Sequence, residues 1–396
     1  MYESTPLKLI ETVDELKAAC KTFASAKQIA VDLEGDSLFH YQERIALIQV
    51  SVVGTDYIID PLKIEDLSSF LELLADSKLL KVMHGSDYDI ISIKRDYGVQ
   101  IKGLFDTQIA AHLLGTEHLG LAALVDQYFV IELDKKYQKH NWSIRPLEQA
   151  HINYARGDTH WLLALKEILV HNLKKEGLLE ALYEEVEDLC AKPWFDRKNT
   201  EDAFMRIKHA NTLSDEGKVI LRNIWELREG LAKERDLPSF KIFSNVQILK
   251  IAQLVKGNKT PSNKEILSIL GNRNYARYGK SVLKRYELAL SDERPLPKKK
   301  NTKIVRIPGQ DVITAALKEW REKQQERGER VALLPSNVQI RRIAASVPTT
   351  EQELAAVMRK WQFDLYGEEL LNLIQPISKQ WKDYIPKKQR KALNKK

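Results

Sequence analysis

The sequence predicts an α/β domain over residues 1–205 followed by two small all-α modules, and three observations carry that prediction. Short runs rich in Val and Ile alternate with helical stretches through the first half of the chain, the pattern of an α/β domain. Strand signals nearly vanish beyond residue 205. The helical remainder repeats itself: Ser244-Asn-Val-Gln-Ile248 recurs as Ser336-Asn-Val-Gln-Ile340, an offset of 92.

Taken in order, Ile29–Glu34, Ile45–Val52, Tyr57–Asp60 and Leu79–His84 read as strands, because each is a short apolar run rich in strand-forming residues. Gly54-Thr55 is a turn pair, so the second and third runs form a hairpin. Helices are expected over Asp66–Ala75, Asp87–Tyr97 (closed by Gly98), Thr107–Leu114, Leu147–Val170 and Leu178–Cys190, the last ending before Pro193. Around the repeated pentapeptides, Lys250-Ile-Ala252 answers to Arg342-Ile-Ala344. Upstream, Ile224–Glu229 answers to Leu317–Glu322 at an offset of 93. Ile224, Leu227, Leu317 and Trp320 are read as module core rather than contact surface. The expected boundaries are 206–292 for the first module, 293–308 for a basic linker, 309–380 for the second module and 381–396 for a basic tail.

A chain of 396 residues with 43% hydrophobic and 30% charged side chains buries ordinary cores. It has no run of about 18 apolar residues, so no transmembrane helix is expected. Met1–Ile10 lacks the basic and apolar regions of a signal peptide. Cys20 and Cys190 fit neither a disulfide scaffold nor a zinc cluster, and the expectation is a cytoplasmic protein. The net charge of +7 is concentrated. Lys298, Lys299, Lys300, Lys303 and Arg306 in the linker, and Lys387, Lys388, Arg390, Lys391, Lys395 and Lys396 in the tail, carry eleven cations and leave −4 for the rest. Such runs suit a polyanion, with Lys298–Lys300, Lys387, Lys388, Arg390 and Lys391 as candidate nucleic-acid contacts; charge alone fits solvated tails equally well.

Three carboxylate-bearing segments stand out. In Val31-Asp32-Leu33-Glu34 the strand period of two puts Asp32 and Glu34 on one face. His84-Gly-Ser-Asp-Tyr-Asp89 runs from a strand into a helix whose first turn favours an ionised carboxylate, and ordinary capping accounts for one of its two acids. Tyr154-Ala-Arg-Gly-Asp158 sets a phenol and a carboxylate four apart on a helix, on one face. Each is weak evidence by itself. Four clustered carboxylates cannot all stay ionised without cations. Two divalent ions balance that charge, hard oxygen donors suit Mg²⁺ or Mn²⁺, and a pair of ions roughly 3.5–4 Å apart serves in-line displacement at phosphorus.

The order Asp32/Glu34, Asp89, Tyr154/Asp158 resembles the tyrosine branch of the DEDD 3′–5′ exonucleases, and the supporting segments Lys81–Gly85, Phe105-Asp-Thr107, Trp142–Leu147 and Tyr154–Trp161 are similar to those of the ribonuclease D family. The repeated modules resemble HRDC domains. The resemblance implies a ribonuclease H-like α/β fold and Asp32, Glu34, Asp89 and Asp158 as ligands of two Mg²⁺ or Mn²⁺ ions. It adds Tyr154 as a fifth catalytic residue, orienting the attacking water. The family's spacing from the histidine selects Asp89 over Asp87; Asn153 stands where the histidine branch has its histidine, and Asn141 replaces an aspartate common in relatives. The implied activity is 3′ trimming of structured RNA such as tRNA precursors, by a monomer with RNA as its partner and no membrane. The alternatives are the same chemistry on DNA and a non-catalytic RNA-binding scaffold. Phe39, Tyr41 and His84 fit either base stacking or rim packing.

Overall fold

The computed structural model describes residues 5–195, 200–255, 257, 259–297 and 309–382; the linker lysines Lys298–Lys300 and the tail residues Lys387, Lys388, Arg390 and Lys391 lie outside the described residues. Among the described residues no helix is long and apolar enough to cross a membrane. Cys20 and Cys190 are buried free thiols.

Six strands form one mixed sheet in the order β1-β4-β3-β2-β5-β6, namely β1 (Leu7–Ile10), β2 (Gln28–Gly35), β3 (Ile45–Val52), β4 (Thr55–Ile59), β5 (Leu80–Met83) and β6 (Leu104–Asp106). β3 and β4 make the expected antiparallel hairpin, with Gly54 at φ +83° in a left-handed conformation that favours glycine. β2 pairs antiparallel with β3 and parallel with β5. Ile45–Ser51 is buried throughout, which explains its unbroken apolar run: both faces of the sheet are covered. The edge strands β1 and β6 were not expected from the sequence; each is too short, at 4 and 3 residues, to show a period.

The helices of this domain are α1 (Val13–Ser25), α2 (Ser68–Ala75), α3 (Asp87–Tyr97), α4 (Thr107–Leu113), α5 (Leu121–Phe129), α6 (Gln149–His160), α7 (Leu162–Lys175) and α8 (Leu179–Ala191). The single helix expected over Leu147–Val170 is two, divided at Trp161. The division has a packing cause. α6 lies on β3 and β4, whereas α7 packs against β2, β5 and α4, so the chain must change direction between them.

The first all-α module comprises α9 (Asp215–Glu234), α10 (Ser239–Ile242), α11 (Asn245–Ala252) and α12 (Asn263–Leu290), the last broken at Gly271. The second comprises α13 (Gln310–Glu326), α14 (Asn337–Ser346), α15 (Glu351–Ala355) and α16 (Lys360–Lys382). The repeated Ser-Asn-Val-Gln-Ile is a capping box in both. Ser244 and Ser336 accept from the backbone N–H of Gln247 and Gln339, whose side chains accept in return from the serine N–H groups. Ile224 and Leu317 are fully buried, and Trp320 nearly so, as core residues should be.

Both modules dock on the α/β domain. In the first, Asp236, held at φ +47°, accepts from Tyr41 N at 3.1 Å and meets His40 Nδ1 at 2.7 Å. The core of the second is continuous with that of the α/β domain. Arg359 pairs with Glu185 and Asp188, and Lys360 N donates to Glu184 at 2.9 Å.

Candidate active site

The parallel pairing of β2 and β5 ends at Ala30 opposite Val82, so the C-terminal end of β5 lies beside the middle of β2, just before Asp32, and α/β sheets collect ligands at such strand ends. Asp32 and Glu34 stand on the same face at the end of β2. A register shift comes next, with Glu34 opposite Leu47 but Gly35 opposite Ile45, and such a bulge re-aims the strand end. At Gly35 a Cβ would lie 3.2 Å from Tyr88 Oη of α3, so a side chain there would push the tyrosine aside by a few tenths of an ångström. α6 covers the same face and brings Tyr154 and Asp158 to it.

Carboxylate oxygens of Asp32, Glu34 and Asp158 lie within 4.8 Å of one another. Asp89, 7% exposed in the first turn of α3, stands outside that group of three, but its charge acts on Glu34 and the Asp32 charge acts on it. Asp87 behaves differently: its side chain is 67% exposed and its carboxylate takes a hydrogen bond from Lys192 Nζ at 2.6 Å. Burial and then the Asp158 charge push the Asp32 carboxyl far up from its ordinary value. Burial, followed by Asp32, Asp158 and Asp89, pushes Glu34 up to about 10. Burial and then the Asp32 and Asp106 charges raise Asp89, while burial takes Asp158 up to about 7. The charges acting on these groups are one another's and that of Asp106, all negative, so the protein alone does not neutralise them. An all-oxygen donor set short of positive charge fits a hard divalent cation such as Mg²⁺ or Mn²⁺.

Tyr154 packs edge-on against Tyr137, with ring centroids 5.7 Å apart, and lies 5.9 Å from the Trp142 ring. Burial, with Asp158, Glu34 and Asp32 nearby, raises its phenol well above the ordinary value, so it is protonated at neutral pH.

Several residues with no obvious role in the sequence hold these groups in place. Asp106, fully buried, accepts from Gly85 N at 3.1 Å, Ser86 N at 2.8 Å and Ser86 Oγ at 2.7 Å. It also caps α4 through Gln108 N and Ile109 N. One carboxylate thereby fixes the turn that launches α3 and aims Asp89. On α6 the residues alternating with Tyr154 and Asp158 grip the sheet. Arg156 donates to Asp56 Oδ2 at 3.0 and 2.6 Å, His160 Nδ1 lies 2.9 Å from Asp56 Oδ2, and Thr159 Oγ1 is 2.8 Å from Ser51 Oγ. Gln49 is directly opposite Asp32 in the ladder and therefore on its face, fully buried. The sequence did contain a signal: Arg156 and His160, both polar, sit two residues after Tyr154 and Asp158, on the opposite side of one helix.

Of the three aromatic candidates, Tyr41 packs against the core of the first module and Phe39 lies 4.6 Å beneath Lys241 Nζ, so both serve the contact between domains. His84 Nδ1 is 2.9 Å from Thr107 Oγ1. His151 stacks on His140 and packs against Tyr137. Asn141 Oδ1 accepts from Ser143 N at 3.2 Å.

A mixed sheet with acidic side chains gathered from one strand, the first turn of α3 and a late helix is the arrangement that the resemblance to 3′–5′ exonucleases implies. Residues 7–174 match the family described as 3′–5′ exonuclease, and residues 218–285 and 310–374 each match the HRDC domain. The chain therefore carries a 3′–5′ exonuclease domain over residues 7–174, followed by two HRDC domains. It is 37% identical over 258 residues to the exosome complex component 10 homolog of Caenorhabditis elegans, a match covering 63% of this chain and 29% of that relative, so less than a third of the relative's length is represented. Among solved structures it is similar to Escherichia coli RNase D, described as an exoribonuclease involved in structured RNA processing (TM-score 0.68, 26% identity, 93% of this chain and 98% of that one). The catalytic core of RRP6 from Trypanosoma brucei is also similar (TM-score 0.60, 27% identity, 74% and 81%).

Proposed function

We propose that the chain is a 3′–5′ exoribonuclease of the tyrosine branch, releasing nucleoside 5′-monophosphates from the free 3′ ends of structured RNA such as tRNA precursors. The observation that carries this is the convergence of Asp32, Glu34 and Asp158 oxygens within 4.8 Å, with Asp89 buried beside them. In this reading Asp32, Glu34, Asp89 and Asp158 hold two Mg²⁺ or Mn²⁺ ions, which when bound supply a nucleophile at neutral pH and offset charge on the leaving 3′ oxygen. Tyr154 carries its phenolic proton at neutral pH and orients the attacking water through a hydrogen bond rather than removing its proton. Asp106, and Asp56 with Arg156 and His160, keep the carboxylates within the narrow geometry such chemistry demands. RNA rather than DNA is favoured by the similarity to RNase D over 93% of the chain.

The test is trimming of matched RNA and DNA oligonucleotides labelled at the 5′ end, with Mg²⁺ and with EDTA. Stepwise shortening of RNA from its 3′ end, dependent on Mg²⁺ and yielding 5′-monophosphates, is expected. Equal or faster trimming of DNA would favour the DNA enzyme, and binding with no shortening would favour the scaffold.

A further inference from the structure

The two HRDC domains place matching helices in matching environments but give them opposite charge. Residues 275–286 of α12 align with residues 363–374 of α16 at an offset of 88, and their burial runs in parallel: Tyr278 with Tyr366, Val282 with Leu370 and Tyr286 with Ile374 are all buried. The same construction marks both. Gly279 lets the Tyr275 ring lie against the helix, and Gly367 does the same for Phe363, a Cβ at either glycine falling 2.6–2.7 Å from the ring.

The exposed face diverges. In α12 it carries Arg273, Arg277, Lys280 and Lys284, all exposed. Their spacings of 4, 3 and 4 keep them within about 60° of one another around the helix axis and spread them over about 16 Å. Among the described residues none of the four has an ion-pair partner, whereas Arg285, turned toward α9, is held by Glu226. The first acid on that face is Glu287. The aligned positions of α16 are Trp361, which is buried, and the exposed Leu365, Glu368 and Asn372, with Asp364 and Glu369 exposed beside them.

A row of four unpaired cations spread along one helix face fits a polyanion backbone, whose phosphates repeat along the strand. Unpaired cations so close together repel one another, and a bound phosphate backbone relieves that repulsion. We propose that the α12 face of the first HRDC domain is a track for the RNA phosphate backbone, and that the aligned α16 face of the second is not. The assignment rests on RNA being the substrate.

The experiment uses the full chain with Arg273→Gln, Arg277→Gln, Lys280→Gln and Lys284→Gln combined. Affinity for a fluorescent 20-nucleotide single-stranded RNA is measured in EDTA at several KCl concentrations. Each lost contact on a single strand makes the slope of log affinity against log salt shallower by roughly 0.7, so four contacts remove nearly 3. The pairs Arg273→Gln/Arg277→Gln and Lys280→Gln/Lys284→Gln, each expected to remove about half of that, provide the reading if the combined variant folds poorly. Asp364→Asn/Glu368→Gln/Glu369→Gln in the second domain is expected to leave the slope within 0.3 of the parent. Folded variants of α12 with an unchanged slope would overturn the proposal, and so would an equal change from the α16 variant. Trimming of a four-nucleotide RNA by the parent chain in Mg²⁺ is measured alongside. Absence of that trimming in the parent chain would count against the exonuclease reading, leaving the binding result to stand separately.

Discussion

Asp106 offers a direct test of how Asp89 is aimed. Its Oδ2 accepts from Ser86 N and Oγ, and its Oδ1 from Gly85 N, Gln108 N and Ile109 N. In Asp106→Asn, whichever way the amide turns, an NH₂ replaces one of these acceptors. The best arrangement puts it toward Ser86, where the hydroxyl can rotate to accept but the backbone N–H cannot. One buried N–H left without an acceptor costs about 1–3 kcal/mol. Loss of the negative charge near the starts of α3 and α4 adds about 0.3–1 kcal/mol for each helix. The sum is about 2–5 kcal/mol, or a fall in Tm of roughly 4–20 °C for a domain of this size. The turn that starts α3 also relaxes, and a misplacement of about 1 Å near a reacting centre can lower turnover about 100-fold. Thermal unfolding followed by circular dichroism, the Mg²⁺ concentration for half-maximal activity and turnover on a short RNA are the assays. A lower Tm, a raised Mg²⁺ requirement and at least tenfold slower turnover are expected. A variant within 2 °C of the parent, with turnover within twofold, would refute the anchoring role.

Glu34→Gln and Asp158→Asn are expected to abolish most turnover while RNA affinity in EDTA stays within threefold, and to lose the rise in Tm that saturating Mg²⁺ gives the parent. Binding of a divalent ion at about 100 times its Kd contributes about 2.7 kcal/mol, which differential scanning fluorimetry resolves. Tyr154→Phe removes only the phenolic hydroxyl, so turnover falls with KM little changed; an unchanged turnover would remove the orienting role. Burial works to raise the Asp56 carboxyl, but hydrogen bonds from His160, Ser51 and Arg156 outweigh it and hold that carboxyl below its ordinary value. Its contribution is therefore present above the unfolded carboxyl value of about 3.9 and is lost as pH falls through the lower folded value. The Tm difference between parent and Asp56→Asn is expected to narrow as pH falls below about 4; a gap that widens between pH 4 and 2 would contradict the assignment.

Features that obey a local period are legible in the sequence. Asp32 and Glu34 declare themselves through the strand repeat, Tyr154 and Asp158 through the helix repeat, and the two HRDC domains through a repeated capping box. The parts that stayed hidden depend on partners far along the chain. Asp56 begins a strand after a glycine turn and looks like a solvated turn residue, yet it is buried by Arg156 and His160, a hundred residues on. Asp106 looks like an ordinary helix cap, and only the parallel pairing of β5 with β6 brings it to Gly85 and Ser86. Trp161 carries no breaker signal, because the division of α6 from α7 comes from which strands each helix covers. The basic face of α12 is spread among apolar residues at helical spacing, whereas the lysine runs of the linker and tail are contiguous and draw the eye first.

The central claim is that the buried Asp89, and not the exposed Asp87 two residues earlier, completes the carboxylate cluster that hydrolyses RNA from its 3′ end. The measurement is single-turnover release of 5′-monophosphates from a 3′-end-labelled RNA in Mg²⁺ by the parent, Asp89→Asn and Asp87→Asn. Release is expected to fall at least 100-fold in Asp89→Asn and to stay within threefold of the parent in Asp87→Asn, which loses one surface ion pair with Lys192. Normal release by Asp89→Asn, with loss in Asp87→Asn, would contradict it.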